Sequence, residues 1–255
     1  MSATAPAPAS VADPSSAQVR VVDEGVVTEL VIDRDDKRNS LSAAVVEGLI
    51  DGVAHAVDRG ARLLVLRGEG RCFSAGFDLS ALPTSTDGDL LLRFVRIERL
   101  LADLESAPMT TLALVHGRTF GAGADLAMAC THRVLDPAAR LRMPGLRFGL
   151  VLGTRRLAAL TGRDFAHRML QSSQTIEADL ALEVGMATAV VPQDAWAQVR
   201  EDLSETTTQL TPAATRAMRR ALATHDADAD LAALVRSASE PGLGDRIRRY
   251  QQEAR

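Results

Sequence analysis

Two β-rich runs, Val19-Arg-Val-Val-Asp-Glu-Gly25 and Val26-Val-Thr-Glu-Leu-Val-Ile32, open the patterned part of the chain. The Glu-Gly turn between them predicts a hairpin. Residues 33–39 form a charged loop. Val45, Val46, Leu49, Ile50, Val53 and Val57 then recur at helical spacing, with Ser40 or Ser42 placed to cap the helix and Gly60 to end it. Arg62-Leu-Leu-Val-Leu-Arg67 has the apolar density of a buried strand. Cys72-Phe-Ser-Ala-Gly-Phe-Asp-Leu79 reads as another strand broken by small residues, and a Leu-, Ile- and Arg-rich helix follows from about Asp89 to Glu105.

The next stretch organises the rest. Thr111–His116 reads as a buried strand, and it runs into Gly117-Arg-Thr-Phe-Gly-Ala-Gly-Ala-Asp-Leu-Ala-Met-Ala-Cys130. Small residues at Gly121, Ala122 and Gly123 let a ligand approach the main chain, and a helix beginning there leaves N–H groups without intrahelical partners. Such donors attract negative charge. Asp125 lies three residues beyond Ala122, so amides that can receive an anion sit beside a carboxylate. Further on, His132–Asp136 is a short strand, 140–153 is irregular, Thr154 can cap a helix to Leu160, and Met186–Pro192 reads as an edge strand. From Ala195 the pattern is helical, broken at Pro212, at 225–230 and at 241–244. That change predicts a boundary near residue 192, with residues 1–18 a disordered leader, 19–192 the core and 193–255 a helical region.

Composition narrows the function classes. Hydrophobic residues at 46% and charged residues at 24% describe an ordinary globular chain, and a net charge of -4 gives no bias towards nucleic acid or an anionic membrane. Aromatics at 3% are too few for base-stacking platforms. Cys72 and Cys130 make neither a disulfide framework nor a metal-ligand spacing, and His132 and His167 lack ligand-spaced partners, so no metal is expected. There is no membrane-length apolar run and no signal-peptide pattern, which makes the cytoplasm the expected compartment. One local asymmetry stands out: residues 131–170 carry eight arginines (Arg133, Arg140, Arg142, Arg147, Arg155, Arg156, Arg163, Arg168) against two acids, Asp136 and Asp164. Solvated faces, subunit contacts and phosphate binding all account for it.

Phe73-Ser-Ala-Gly-Phe-Asp-Leu79 and Val115-His-Gly-Arg-Thr-Phe-Gly-Ala-Gly-Ala-Asp-Leu-Ala-Met-Ala-Cys130, about forty residues apart, resemble the paired motifs of the crotonase (enoyl-CoA hydratase/isomerase) family. Asp36-Lys-Arg-Asn-Ser-Leu41, Arg62–Gly68 and Ile176–Val191 match further family segments in order. The resemblance implies an α/β fold, a spiral of ββα units with a C-terminal helical trimerisation region, assembling as trimers or dimers of trimers. It implies an acyl-CoA thioester enzyme of fatty-acid type, with CoA as part of the substrate and no separate cofactor. By the same resemblance the backbone N–H groups of Ala75 and Ala122 hold the thioester oxygen, and Asp125 is the catalytic acid/base. Lys37 and Arg38 lie near the CoA phosphates, and Phe73, Ser74, Gly76, Asp78, Leu79, Gly121 and Gly145 belong to the binding site. Taken by itself, Asp78 reads as a turn anchor and His116 as a satisfied strand histidine.

Hydratases of the family resemble one another in using two glutamates. Asp125 stands at the first position with a shorter side chain, and the second position holds Gly145. A later position used by single-acid isomerases falls near Leu152-Gly153, again without a carboxylate. The two-acid set is incomplete, so the resemblance implies a lyase or isomerase whose reaction stays open. The alternatives are a decarboxylase or hydrolase of a functionalised acyl-CoA, and a non-catalytic acyl-CoA-binding protein of the same fold.

Overall fold

The computed structural model describes residues 18–223 and 226–253. Strands β1 (Val19–Glu24) and β2 (Val27–Ile32) form the expected antiparallel hairpin. Helix α1 (Ala43–Asp58) is capped by Ser42, whose Oγ accepts from the Val45 N–H, and it buries Val45, Val46, Leu49 and Val53. Strands β3 (Leu63–Gly68), β4 (Thr110–Val115), β6 (His132–Leu135) and β9 (Ala189–Val190) continue the sheet in the order β1-β2-β3-β4-β6-β9, parallel from β2 onward. A second sheet joins β5 (Arg118–Phe120), β7 (Arg140–Arg142) and β8 (Ile176–Glu177).

Parallel strands need crossovers, which α1 and α2 (Asp87–Ser106) supply. A capping box opens α2: Thr86 accepts from the Asp89 N–H and Asp89 accepts from the Thr86 N–H. Short helices follow: α3 (Ala122–Met128), α4 (Thr154–Thr161), α5 (Arg163–Ser172) and α6 (Ala178–Glu183). The chain ends in α7 (Trp196–Thr208), α8 (Pro212–Leu222), α9 (Ala227–Ala238) and α10 (Leu243–Glu253). Leu234 and Ala238 of α9 and Leu243 and Ile247 of α10 are buried in the same hydrophobic cluster as α1, α2 and α3. Trp196 of α7 instead packs on the opposite side of the sheet with Val27, Leu63, Val65, Leu112 and Leu114.

Three local expectations need correction. Residues 72–74 are not a strand, because their backbone groups bond to two loops; the only pairing in the first motif is a bridge between Leu41 and Phe77. The stretch 140–153 is only partly irregular, since β7 and a 3-10 turn (Gly145–Phe148) lie in it. Thr154 is the first residue of α4 rather than its cap, and Gly153 occupies the cap position. The leader assigned to 1–18 lies outside the described residues except for Gln18, and His225 in the 225–230 turn lies outside them too. No helix among the described residues is long and apolar enough to cross a membrane.

Candidate active site

The first motif is laced to the loop before α1. Asn39 donates through Nδ2 to the carbonyls of Glu69 and Cys72, both at 2.7 Å, and Ser74 Oγ donates to the Asn39 carbonyl at 2.8 Å. The Leu41 N–H donates to the Gly76 carbonyl at 2.8 Å, and the Asp78 N–H to Leu41 at 3.3 Å. The motif is also tied to the second one, for Phe73 N–H donates to His116 and Phe120 N–H to Ser74. These bonds bring the end of β3 and the turn after β4 into one unit.

Ala75 cannot play the part expected of it. Its N–H donates to the Arg38 carbonyl at 2.9 Å, so that donor is already used. Two residues on, among the described residues, the Phe77 N–H has no hydrogen-bond partner, and neither has the Ala122 N–H. Each follows a glycine with positive φ, Gly76 at 86° and Gly121 at 52°. The glycine turns the chain so that the next N–H is released from the surrounding ladder. A Cβ at Gly76 would stand 2.2 Å from the Phe120 carbonyl oxygen and 3.2 Å from the Ala122 nitrogen. The two motifs therefore touch where the free donors lie. The pattern Gly-then-donor was already visible in Gly121-Ala122, and applied to the first motif it selects Phe77.

Phe77 and Ala122 line one cavity of about 180 Å³, together with Ala75, Leu79, Gly121, Asp125 and Gly145. Its remaining wall is strongly apolar, with Phe94, Met143, Phe148 and Leu150, and α10 adds Ile247 and Tyr250. The tail helices were not expected here; only their helical period, not their target, can be read from the pattern. Phe77 stacks on Phe94 with centroids 4.2 Å apart, and Arg93 lies over the Phe77 ring. Phe73 and Ser74 are buried behind the cavity rather than in it, and Lys37 and Arg38 are exposed on the adjoining loop.

Asp125 is the only carboxylate on the cavity wall among the described residues. It is 3% exposed, and its Oδ1 is buried with no partner. Burial drives its carboxyl well above the usual carboxylate range; Arg156 opposes that shift and Glu98 adds to it. Arg156 is committed elsewhere, at 2.6 Å from Glu98 Oε1 and 2.6 Å from Glu105 Oε2. Asp125 is thus held in a protonatable state beside the free amides.

Neither glycine position on this side of the cavity is roomy. A Cβ at Gly145 would lie 3.0 Å from the Leu150 carbonyl oxygen, a tight approach that a shift of a few tenths of an ångström would relieve. At Gly153 (φ 64°) a Cβ would fall 1.8 Å from Asp125 Oδ1. The space that a residue at 153 would fill is taken by the Asp125 carboxyl itself.

Other candidates resolve as structural. Asp78 accepts from Arg34 at 2.7 Å and from the Ser80 N–H at 2.9 Å, a turn anchor. His116 lies just past β4; its Nε2 donates to the Gly70 carbonyl at 2.9 Å, its edge meets Trp196, and its Nδ1 has no partner, so it is half satisfied. Cys72 and Cys130 are buried and free. No cluster of metal-ligating residues occurs among the described residues.

The model of the enoyl-CoA hydratase/isomerase family matches residues 23–240. A Mycobacterium bovis protein assigned as the enoyl-CoA hydratase echA6 is 35% identical over 180 residues, covering 68% of this chain and 72% of its own. The Mycosarcoma maydis enoyl-CoA isomerase/hydratase fer4 is 26% identical over 208 residues, covering 76% and 75%. A solved Bordetella parapertussis structure assigned to the enoyl-CoA hydratase/isomerase class superposes with a TM-score of 0.91 at 46% identity, over 92% of this chain and 99% of that one.

Proposed function

The chain belongs to the enoyl-CoA hydratase/isomerase family, and we propose that within it this protein moves a proton on an acyl-CoA enolate with one carboxyl group, Asp125. The observation that carries this reading is a single unpartnered carboxyl in an apolar cavity beside two unpartnered N–H groups. The thioester oxygen sits between the Phe77 and Ala122 amides, which supersedes the pairing of Ala75 with Ala122. Removal of a proton next to the thioester places negative charge on that oxygen. Each fixed donor then stabilises it by roughly 3 kcal/mol.

A single group suffices for isomerisation. The Asp125 carboxylate takes the proton from the α carbon of a β,γ-unsaturated acyl-CoA, the electrons shift through the dienolate, and the same carboxyl returns the proton at the γ carbon. The double bond ends conjugated to the thioester. The environment that raises the Asp125 pKa makes its ionised form a stronger base. Hydration needs a second group to hold and activate water, and Gly145 and Gly153 supply none.

The raised pKa also favours a second reading, decarboxylation of a malonyl-type thioester. Loss of carbon dioxide leaves the same enolate, and protonated Asp125 delivers the proton to carbon. Trimers or dimers of trimers belong to the family reading and are checked by sedimentation.

Purified protein given a β,γ-unsaturated acyl-CoA is expected to generate α,β-enoyl thioester absorbance, while hydration of crotonyl-CoA runs at least about a hundredfold slower for want of a second acid. Rapid hydration of crotonyl-CoA would defeat the single-acid reading. Turnover of malonyl-type thioesters in place of isomerisation would transfer support to decarboxylation.

A further inference from the structure

The arginine-rich segment resolves into two groups. Arg133 donates to the carbonyls of Met186 and Cys130, and Arg142 to that of Ser173. Arg140 pairs with Glu177, Arg155 with Asp230, and Arg156 with Glu98 and Glu105. Those five are structural. Arg147, Arg163 and Arg168 have no acidic partner among the described residues.

Arg147 and Arg163 line one further cavity, of about 540 Å³, together with His167. No Asp or Glu lines it. Leu146, Thr154 and Leu170 border both this cavity and the apolar one that holds Asp125. The cavity that holds Phe77 and Ala122 and the one lined by Arg147 and Arg163 therefore adjoin at these three residues. Lys37 and Arg38, on the loop bonded to the first motif, do not border this second cavity, which separates it from the loop expected to meet the CoA phosphates.

We propose that the distal end of the acyl group carries an anion, a terminal carboxylate, recognised by Arg147 and Arg163. This rests on the acyl-CoA reading above and adds its substrate class. An anion there meets two unneutralised cations and no opposing acid, and guanidinium groups suit carboxylates geometrically. A plain alkyl tail of the same length would leave both arginines solvated and add nothing.

The test uses two β,γ-unsaturated acyl-CoAs of equal length, one ending in a methyl group and one in a carboxylate, with the full-length protein and Arg147→Gln, Arg163→Gln and the double variant. The wild type is expected to favour the carboxylate by about tenfold in kcat/KM, each single variant to lose part of that preference, and the double variant to lose it with the methyl substrate little changed. Calorimetric binding of the same two thioesters reads the same contrast without turnover, so a wrong reaction and a wrong tail recognition give different results. Equal use of both substrates by the wild type would overturn the proposal. An equal loss for both substrates and for free CoA would assign the arginines to phosphate, and an altered sedimentation coefficient without altered selectivity would assign them to a subunit contact; either result overturns it.

Discussion

Each of the two motifs contributes one buried aspartate, and the two could hardly be held more differently. Asp78 faces Arg34 at 2.7 Å and the Ser80 N–H at 2.9 Å. Burial pushes its carboxyl up, but these partners outweigh burial and the net shift is downward. Asp125 is buried with Oδ1 unpartnered, and its carboxyl is shifted well upward. The residue type and the neighbouring leucine are the same in both. What separates an anchor from a candidate catalyst is whether the fold supplies donors to the charge.

The largest effect on stability is expected at the anchor. Asp78→Ala strands Arg34 at a largely buried site and should cost about 3 kcal/mol in urea unfolding. Asp125→Asn removes a destabilised carboxylate and should leave stability at neutral pH unchanged or higher. A matching loss at both positions would erase the distinction between them.

A smaller effect is expected where the backbone makes room for Asp125. Gly153→Ala places a methyl group 1.8 Å from Oδ1 at a positive φ, so the carboxyl must move. A cost of about 1–3 kcal/mol is expected, with a fall in turnover out of proportion to it. Wild-type turnover in this variant would mean that the carboxyl position is not set by Gly153.

The smallest effects are the pH slopes, opposite in sign. Asp78 has a lowered folded pKa, so its stabilising share is present above the ordinary value of 3.8 and is lost as pH falls through the lower folded value. Asp125 has a raised folded pKa, so its ionisation costs the folded state progressively more as pH climbs from 3.8 towards the higher folded value. Each slope is bounded at about 1.4 kcal/mol per pH unit. Unfolding of the wild type and of Asp125→Asn across this range should therefore diverge with rising pH, and parallel curves would contradict the assigned shift.

Much of this arrangement is legible in the amino-acid sequence. β-rich and apolar runs located β1, β2, β3 and β4, of which the last three are buried almost throughout, and helical spacing and composition located α1 and α2. Both motifs and Asp125 were visible as small-residue breaks, and the arginine excess was visible as a count. The donor of the first motif, Phe77, follows from the Gly-then-donor pattern of Gly121-Ala122, but the bond that occupies the Ala75 N–H does not, because it spans two loops distant in sequence. Nor does the role of α10 in the cavity wall, since amphipathic spacing gives a buried face without naming what it packs on. The steric exclusion at Gly153 was likewise hidden, for it depends on a carboxyl 28 residues earlier pressing against a turn.

The central claim, that Asp125 carries the proton, is tested most directly by following a label on the substrate. A β,γ-unsaturated acyl-CoA deuterated at the α carbon is incubated with the protein, and deuterium lost from the α carbon and gained at the γ carbon is followed by mass spectrometry and NMR. Wild-type protein is predicted to remove the α deuteron and deliver part of it to the γ carbon, and Asp125→Asn to lose about two to four orders of magnitude of that rate while binding the thioester as before. Removal of the α deuteron that continues undiminished in Asp125→Asn would contradict the account.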